Sequence, residues 1–361
     1  MEDIITSEIT ELNIPNNDLV EKLDLTIYPN LIQCICYCNE ITELILPSKL
    51  EKLYCGNNKI KDLILPETLK ILNCGNNPIT KLSLPKSLEE LYCFNMQLDE
   101  IILPANLKIL DCSNNKINNL VLPDTLLELY CSNNQIASLV LPESLEKLYC
   151  GFNQITSLIL PETLKEVYCQ NNQINELIIS MSSISLIELF CQNNNITKLS
   201  LPESITKLYC YNNQLSEIIL PSLLEELYCG FNKITDLLNL PKNLQKFNCS
   251  DNEITNLPDL PNSLIKINCS NNKINKLPLL SETLIEINCS NNKLSDLQNL
   301  PKTLKTLYCD NNQLSDLPNL NECENLETVF YFNNKITNEI TLPKSVIYLD
   351  SSETMIQDLK V

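Results

Sequence analysis

Along most of this chain one phrase of apolar and polar positions returns every 19 or 20 residues. It consists of two leucines three apart, then a cysteine, an asparagine and an isoleucine at fixed offsets, as in Leu126, Leu129, Cys131, Asn134 and Ile136. Around Leu129-Tyr130-Cys131 the pattern alternates, the period of a β-strand, so Leu129 and Cys131 point inward and Tyr130 outward. A phrase this short cannot enclose a core alone. Stacked copies can, and stacking places one strand per copy side by side in parallel.

After the isoleucine comes a second motif, L-x-L-P, as in Leu139-Val-Leu-Pro142 and Leu158-Ile-Leu-Pro161. Proline there fixes φ and removes a donor, so extended or polyproline-like backbone is expected on the return path in place of a regular helix. The Ser or Thr that follows (Ser144, Thr163, Ser204, Thr283) is expected to bond a neighbouring backbone group in a short turn. The period is 19 from Cys36 to Cys229, apart from 22 between Cys169 and Cys191, and 20 from Cys229 to Cys309. Residues 178–186 read as a bulged return loop, and a long unit through Cys323 leads to Tyr331 in the cysteine position. The segment Glu8–Pro15 echoes Glu40–Pro47, so a degenerate repeat is expected to start near residue 8. The organisation read from this is one repeat domain over 1–361, with 1–30 as a degenerate N-terminal cap, 31–336 regular, and 337–361 a C-terminal capping repeat.

Two inward columns follow from the period. The in-register cysteines Cys36, Cys55, Cys74, Cys93, Cys112, Cys131, Cys150, Cys169, Cys191, Cys210, Cys229, Cys249, Cys269, Cys289 and Cys309 read as small apolar fillers. Parallel Cβ vectors about 4.8 Å apart do not suit a disulfide. Cys34-Ile-Cys36-Tyr-Cys38 is the clustered stretch that a metal would need, and alternation sends Cys34 and Cys36 into the core. The asparagines from Asn58 to Asn334 must bond adjacent turns, since a buried carboxamide left unbonded is costly. Met96 interrupts their column and Thr354 ends it.

Composition narrows the function. A net charge of −19 opposes contact with bare nucleic acid or an anionic membrane. The chain has no arginine, the side chain best suited to paired contacts with phosphate and guanine. Without histidine there is no imidazole base, and four glycines make no phosphate-cradling loop. Acidic residues such as Glu146, Glu166 and Glu226 recur as a solvated face. The expectation is a protein that is not an enzyme and holds no cofactor or metal. No signal peptide and no span of ~18–20 apolar residues is visible, so a reducing, cytoplasmic setting is expected.

Over nearly its whole length the chain resembles the leucine-rich repeat superfamily, with Cys where most members carry Leu. Its 20-residue units, with L-P-x-L-P before L-x-x-L-x-C, resemble the short repeats of bacterial type III effectors. The Cys-bearing, Asn- and Ile-rich units are also similar to repeat proteins of amoeba-infecting giant viruses. The resemblance implies a solenoid of the α/β-horseshoe class, here mostly β with little helix, with a parallel concave sheet. It also implies binding of other proteins, in the host cytoplasm for a viral or effector protein. Effector relatives with ubiquitin-ligase activity carry a separate catalytic domain, and no such domain is expected here.

The outward position between the inward Leu and Cys holds Tyr54, Tyr92, Tyr130, Tyr149, Tyr168, Phe190, Tyr209, Tyr228, Tyr308 and Phe330. From Tyr130 to Tyr228 six consecutive units carry an aromatic residue there, flanked by Glu128, Lys147, Glu166, Glu188, Lys207 and Glu226. Two readings stand. Rigid aromatics with a polar handle suit a protein interface, which makes Tyr130, Tyr149, Tyr168, Phe190, Tyr209 and Tyr228 the candidate partner-binding residues. Alternatively the rings stack to stabilise the sheet. The leading function is a non-catalytic interaction scaffold; the alternative is a structural solenoid that self-associates in a particle or filament.

Overall fold

The computed structural model describes residues 8–297 and 300–350, and the chain falls into two compact units, Met1–Leu177 and Ile178–Val361. In the first unit the repeated phrase becomes a row of three-residue strands: Glu11–Asn13, Gln33–Ile35, Lys52–Tyr54, Ile71–Asn73, Glu90–Tyr92, Ile109–Asp111, Glu128–Tyr130, Lys147–Tyr149 and Glu166–Tyr168. Each pairs in parallel with the next, in register, so that Leu129 lies beside Leu148 and Tyr130 beside Tyr149. The second unit repeats the arrangement from Glu188–Phe190 to Tyr348–Asp350, with Leu208 beside Leu227 and Tyr209 beside Tyr228. Each unit is thus a parallel β-solenoid. A short 3-10 turn, Leu320–Glu322, lies in the long unit before the buried Tyr331.

The inward columns are as the alternation requires. Leu126, Leu129, Cys131 and Ile136 have no exposed surface, and the same positions are closed in turn after turn. All eighteen cysteines are free thiols, and those in register are buried. Cys34 and Cys36 are buried too, whereas Cys38 faces solvent.

The loop that leaves each strand needs one residue with positive φ. Asn57, Asn76, Asn114 and Asn133 supply it at φ of 55–57°. Asparagine is the residue other than glycine that tolerates this region best. The first Asn of each Asn-Asn pair is therefore a backbone device and the second a bonding one, a division invisible in the repeat count. It also explains how a chain with four glycines makes so many tight turns. Phe152 (φ 57°) and Phe231 (φ 51°) occupy the same position and carry its strain without the asparagine's tolerance.

The second asparagine bridges its own turn and the preceding one. Asn134 Nδ2 donates to Cys131 O at 3.1 Å and to Cys112 O at 2.9 Å, while its Oδ1 accepts the Ile117 N–H at 3.0 Å. Where successive turns both carry the asparagine, the cysteine carbonyl between them accepts two carboxamides, as Cys112 O does from Asn115 and Asn134. The column runs to Asn334, which bonds Cys309 O and Tyr331 O. Thr354, expected to end it, lies outside the described residues.

On the return side the L-x-L-P links are extended, and in places they form strands of their own. Val20–Asp24 pairs in parallel with Glu40–Ile45, and Ser157–Leu160 is a further short strand. The turn after each proline is closed by backbone alone, Leu145 N–H donating to Pro142 O at 3.1 Å. The hydroxyls expected to serve that turn reach across to the turn before. Ser144 Oγ meets Leu126 O at 2.6 Å, Thr163 Oγ1 meets Leu145 O at 2.7 Å, Ser204 Oγ meets Leu186 O at 2.7 Å and Thr283 Oγ1 meets Leu264 O at 2.9 Å. The local turn is already satisfied, so the free donor goes to the unpaired carbonyl one turn away.

The first repeat also departs from its expected place. Residues 11–13 pair with Gln33–Ile35 in the first unit's row of three-residue strands, and the counterpart of Glu40–Ile45 is Val20–Asp24. The echo between Glu8–Pro15 and Glu40–Pro47 reflects a shared two-residue alternation, which fits a strand on either side of the turn.

Candidate functional site

The outward column of each unit's sheet is built by register. Because strands pair residue for residue, each aromatic side chain stands directly over the next, one strand spacing away. In the first unit Tyr130 and Tyr149 have ring centroids 4.8 Å apart at 29°, and Tyr149 and Tyr168 stand 4.4 Å apart at 7°. In the second, Phe190 and Tyr209 are 4.3 Å apart at 14°, and Tyr209 and Tyr228 4.4 Å apart at 17°. All six candidate residues are half-buried and all face out of the sheet. Each unit therefore gathers three of them into one stack. Tyr308 and Phe330 meet edge to face at 5.0 Å, outside these stacks.

The phenols are tied to the acidic column beside them. Tyr130 Oη donates to Glu128 at 2.9 Å, Tyr149 Oη to Glu166 at 2.7 Å, and Tyr209 Oη to Glu226 at 2.8 Å. Burial, and then these bonds to carboxylates, push the Tyr130, Tyr149 and Tyr209 phenols well above the usual range; Tyr92 rises to about 12 for the same reasons. The carboxylates are in turn bonded by lysines across turns: Lys147 to Glu128 at 3.2 Å, Lys207 to Glu188 at 2.7 Å and Lys246 to Glu226 at 2.9 Å. Burial works against the Glu226 carboxylate, but the Lys246 and Tyr209 bonds prevail and lower its pKa. The result is a row of fixed rings beside a row of matched charges. The shifted phenols keep their protons, so the face offers ring surface and hydrogen-bonding groups.

The strand that follows Tyr228 changes character. Asn248, Asn268 and Asn288 take the outward place, and each Oδ1 folds back on the N–H of Ser250, Ser270 or Ser290. The aromatic face thus ends where the side chains turn to their own loops. The thiol column beneath is closed to chemistry: burial pushes Cys74, Cys169, Cys229 and Cys269 up to about 12. Among the described residues no three His, Cys, Asp or Glu side chains are grouped to hold a metal ion, and no helix is long and apolar enough to cross a membrane.

Sequence reasoning passed over the return side. Its open grooves lie between successive L-x-L-P links, one of about 360 Å³ between Leu82–Leu84 and Glu100–Ile102 and another of about 530 Å³ between Leu238–Leu240 and Leu257–Pro261. The signal was present in the motif itself, whose middle residue is apolar yet placed outward.

No family model matches the chain, and no curated protein does. Among solved structures, YopM from Yersinia enterocolitica matches with a TM-score of 0.74 and 28% identity, over 97% of this chain and 93% of that one. YopM from Yersinia pestis, described as a leucine-rich effector protein, matches with a TM-score of 0.64 and 29% identity, over 96% and 90%. The functional domain of InlJ from Listeria monocytogenes, which includes a cysteine ladder, has a TM-score of 0.65 at 21% identity over 93% and 70%, a likeness of fold alone. The in-register strands, the buried Leu–Cys–Asn columns and these likenesses agree: the chain has the leucine-rich repeat fold, and its short turns are similar to those of the YopM effectors.

Proposed function

We propose that this protein is a non-catalytic scaffold that binds a protein partner on its aromatic sheet face, in an effector-like role inside a host cell. The observation that carries the reading is the pair of three-ring stacks, Tyr130–Tyr149–Tyr168 and Phe190–Tyr209–Tyr228, held by register and by Tyr–Glu bonds. Rings fixed before binding lose little side-chain freedom on contact, and aromatics so placed concentrate interface energy. The alternating Glu and Lys beside them suit a partner of mixed charge, with association slowed by salt. YopM, as a leucine-rich effector of similar repeats, supports the role by analogy of fold.

The test is affinity capture from a eukaryotic lysate followed by binding measurements on the captured protein. Tyr149→Ser/Tyr168→Ser and Phe190→Ser/Tyr209→Ser should each weaken it about tenfold or more, while Tyr54→Ser changes little. Unfolding curves must be compared in parallel, because the stacks also support the sheet. Folded double variants that bind like the parent would assign the rings to sheet stability alone.

A further inference from the structure

The residue between the two leucines of each L-x-L-P link points away from the core. In the first unit Ile102, Val121, Val140 and Ile159 hold that position in four consecutive turns, exposed by 87, 76, 86 and 68%. Single exposed aliphatics need no explanation, but a contiguous row of them does. Folding does not demand them, because Ser83 and Ser200 hold the same exposed position in other turns.

The border of the row is acidic. Asp124 and Glu143, exposed just beyond the prolines that follow Val121 and Val140, pair with no cation among the described residues. Elsewhere lysines answer glutamates across turns, as Lys108 does Glu89 and Lys165 does Glu146. Here no lysine occurs between Lys116 and Lys147. A second copy would bring the same acidic border against this one, on a chain of net charge −19, and an anionic membrane would be repelled in the same way.

We propose that this row docks an amphipathic helix of a partner protein, one with an apolar stripe flanked by Lys or Arg. Successive turns of the row lie about 4.8 Å apart. The stripe of a helix advances about 5.4 Å per turn, so the two stay in step over four anchors. Same-face residues of a strand, about 6.8 Å apart, fall out of step sooner. The groove beside Ile102 gives one apolar side chain of the helix a place to enter. This surface is independent of the aromatic face.

The test uses the full-length protein and a labelled peptide of ~18 residues, long enough to be helical, with leucines on one face and lysines around them. Its counterpart carries glutamates in place of the lysines. Fluorescence anisotropy should show binding of the lysine peptide alone. Val121→Ser/Val140→Ser should weaken it tenfold or more, Asp124→Asn/Glu143→Asn several-fold with a flatter salt dependence, and Tyr149→Ser/Tyr168→Ser not at all. The outward position of Val121 and Val140 leaves the urea midpoint unchanged. Failure of the lysine peptide to bind overturns the proposal, as does equal affinity for the Val121→Ser/Val140→Ser protein. A dimer in sedimentation that this variant dissolves would give the row to a second copy instead, which also overturns it.

Discussion

The side-chain oxygen of Asn134 accepts the backbone N–H of Ile117, seventeen residues earlier, at 3.0 Å. The two cysteine carbonyls that Asn134 also bonds each retain a second donor, Asn115 on Cys112 and Asn153 on Cys131. The Ile117 N–H therefore depends on Asn134 in a way the carbonyls do not. Asn134→Leu is expected to orphan that one buried donor at about 1–3 kcal/mol. Because turns couple to their neighbours, loss begins locally. Hydrogen exchange should accelerate first at Ile117, together with a lower urea midpoint. Unchanged exchange there would remove the bond from the stability of the turn.

Met96 is the natural version of that loss. It is buried where the neighbouring turns place an asparagine, and the Ile79 N–H makes no hydrogen bond among the described residues, whereas Ile60 and Leu98 bond Asn77 and Asn115. Met96→Asn should restore the rung. The gain from pairing a buried donor, set against the apolar surface removed, leaves a net stabilisation of about 1 kcal/mol. A urea midpoint that moves down would show that Met96 packing outweighs the missing bond.

Alkaline pH should unfold the protein through its thiols. Burial lifts Cys74, Cys169, Cys229 and Cys269 to about 12, against an ordinary cysteine near 8.5 in the unfolded chain. A folded pKa above the unfolded one means that this stability is fully present below the unfolded value and is lost as pH rises from there through the folded value. Each such thiol contributes a slope of about −1.4 kcal/mol per pH unit in that window. Urea midpoints should be flat from pH 6 to 8 and fall steeply between roughly 9 and 11. A midpoint held constant to pH 11 would contradict a buried thiol column.

The same column predicts a labelling pattern. Cys38 is the exposed thiol among eighteen, at a positive-φ position of the second described turn. A thiol reagent at neutral pH should modify it rapidly and the rest only after denaturation. Cys38→Ser should abolish the fast phase while leaving the fold intact. Several fast-reacting thiols in the native protein would mean that the column is open.

The sequence by itself determined the period, the inward columns and the outward one. A two-residue alternation inside a 19- or 20-residue repeat leaves Leu129 and Cys131 one side of a strand and Tyr130 the other, and stacking is the arrangement that buries all copies alike. The candidate rings were legible for that reason. Tertiary structure decided what one turn does for the next: that Ser144 bonds Leu126 O and not its own turn, that Glu11–Asn13 pairs with Gln33–Ile35, and that the Tyr149 hydroxyl donates a hydrogen bond to Glu166 in the following strand. It also turned Val121 and Val140 from members of an apolar motif into an exposed row. Alternation fixes the side of the backbone on which a side chain lies. Its partner there is set by the neighbouring turn, some nineteen residues away in the chain and one strand spacing away in space.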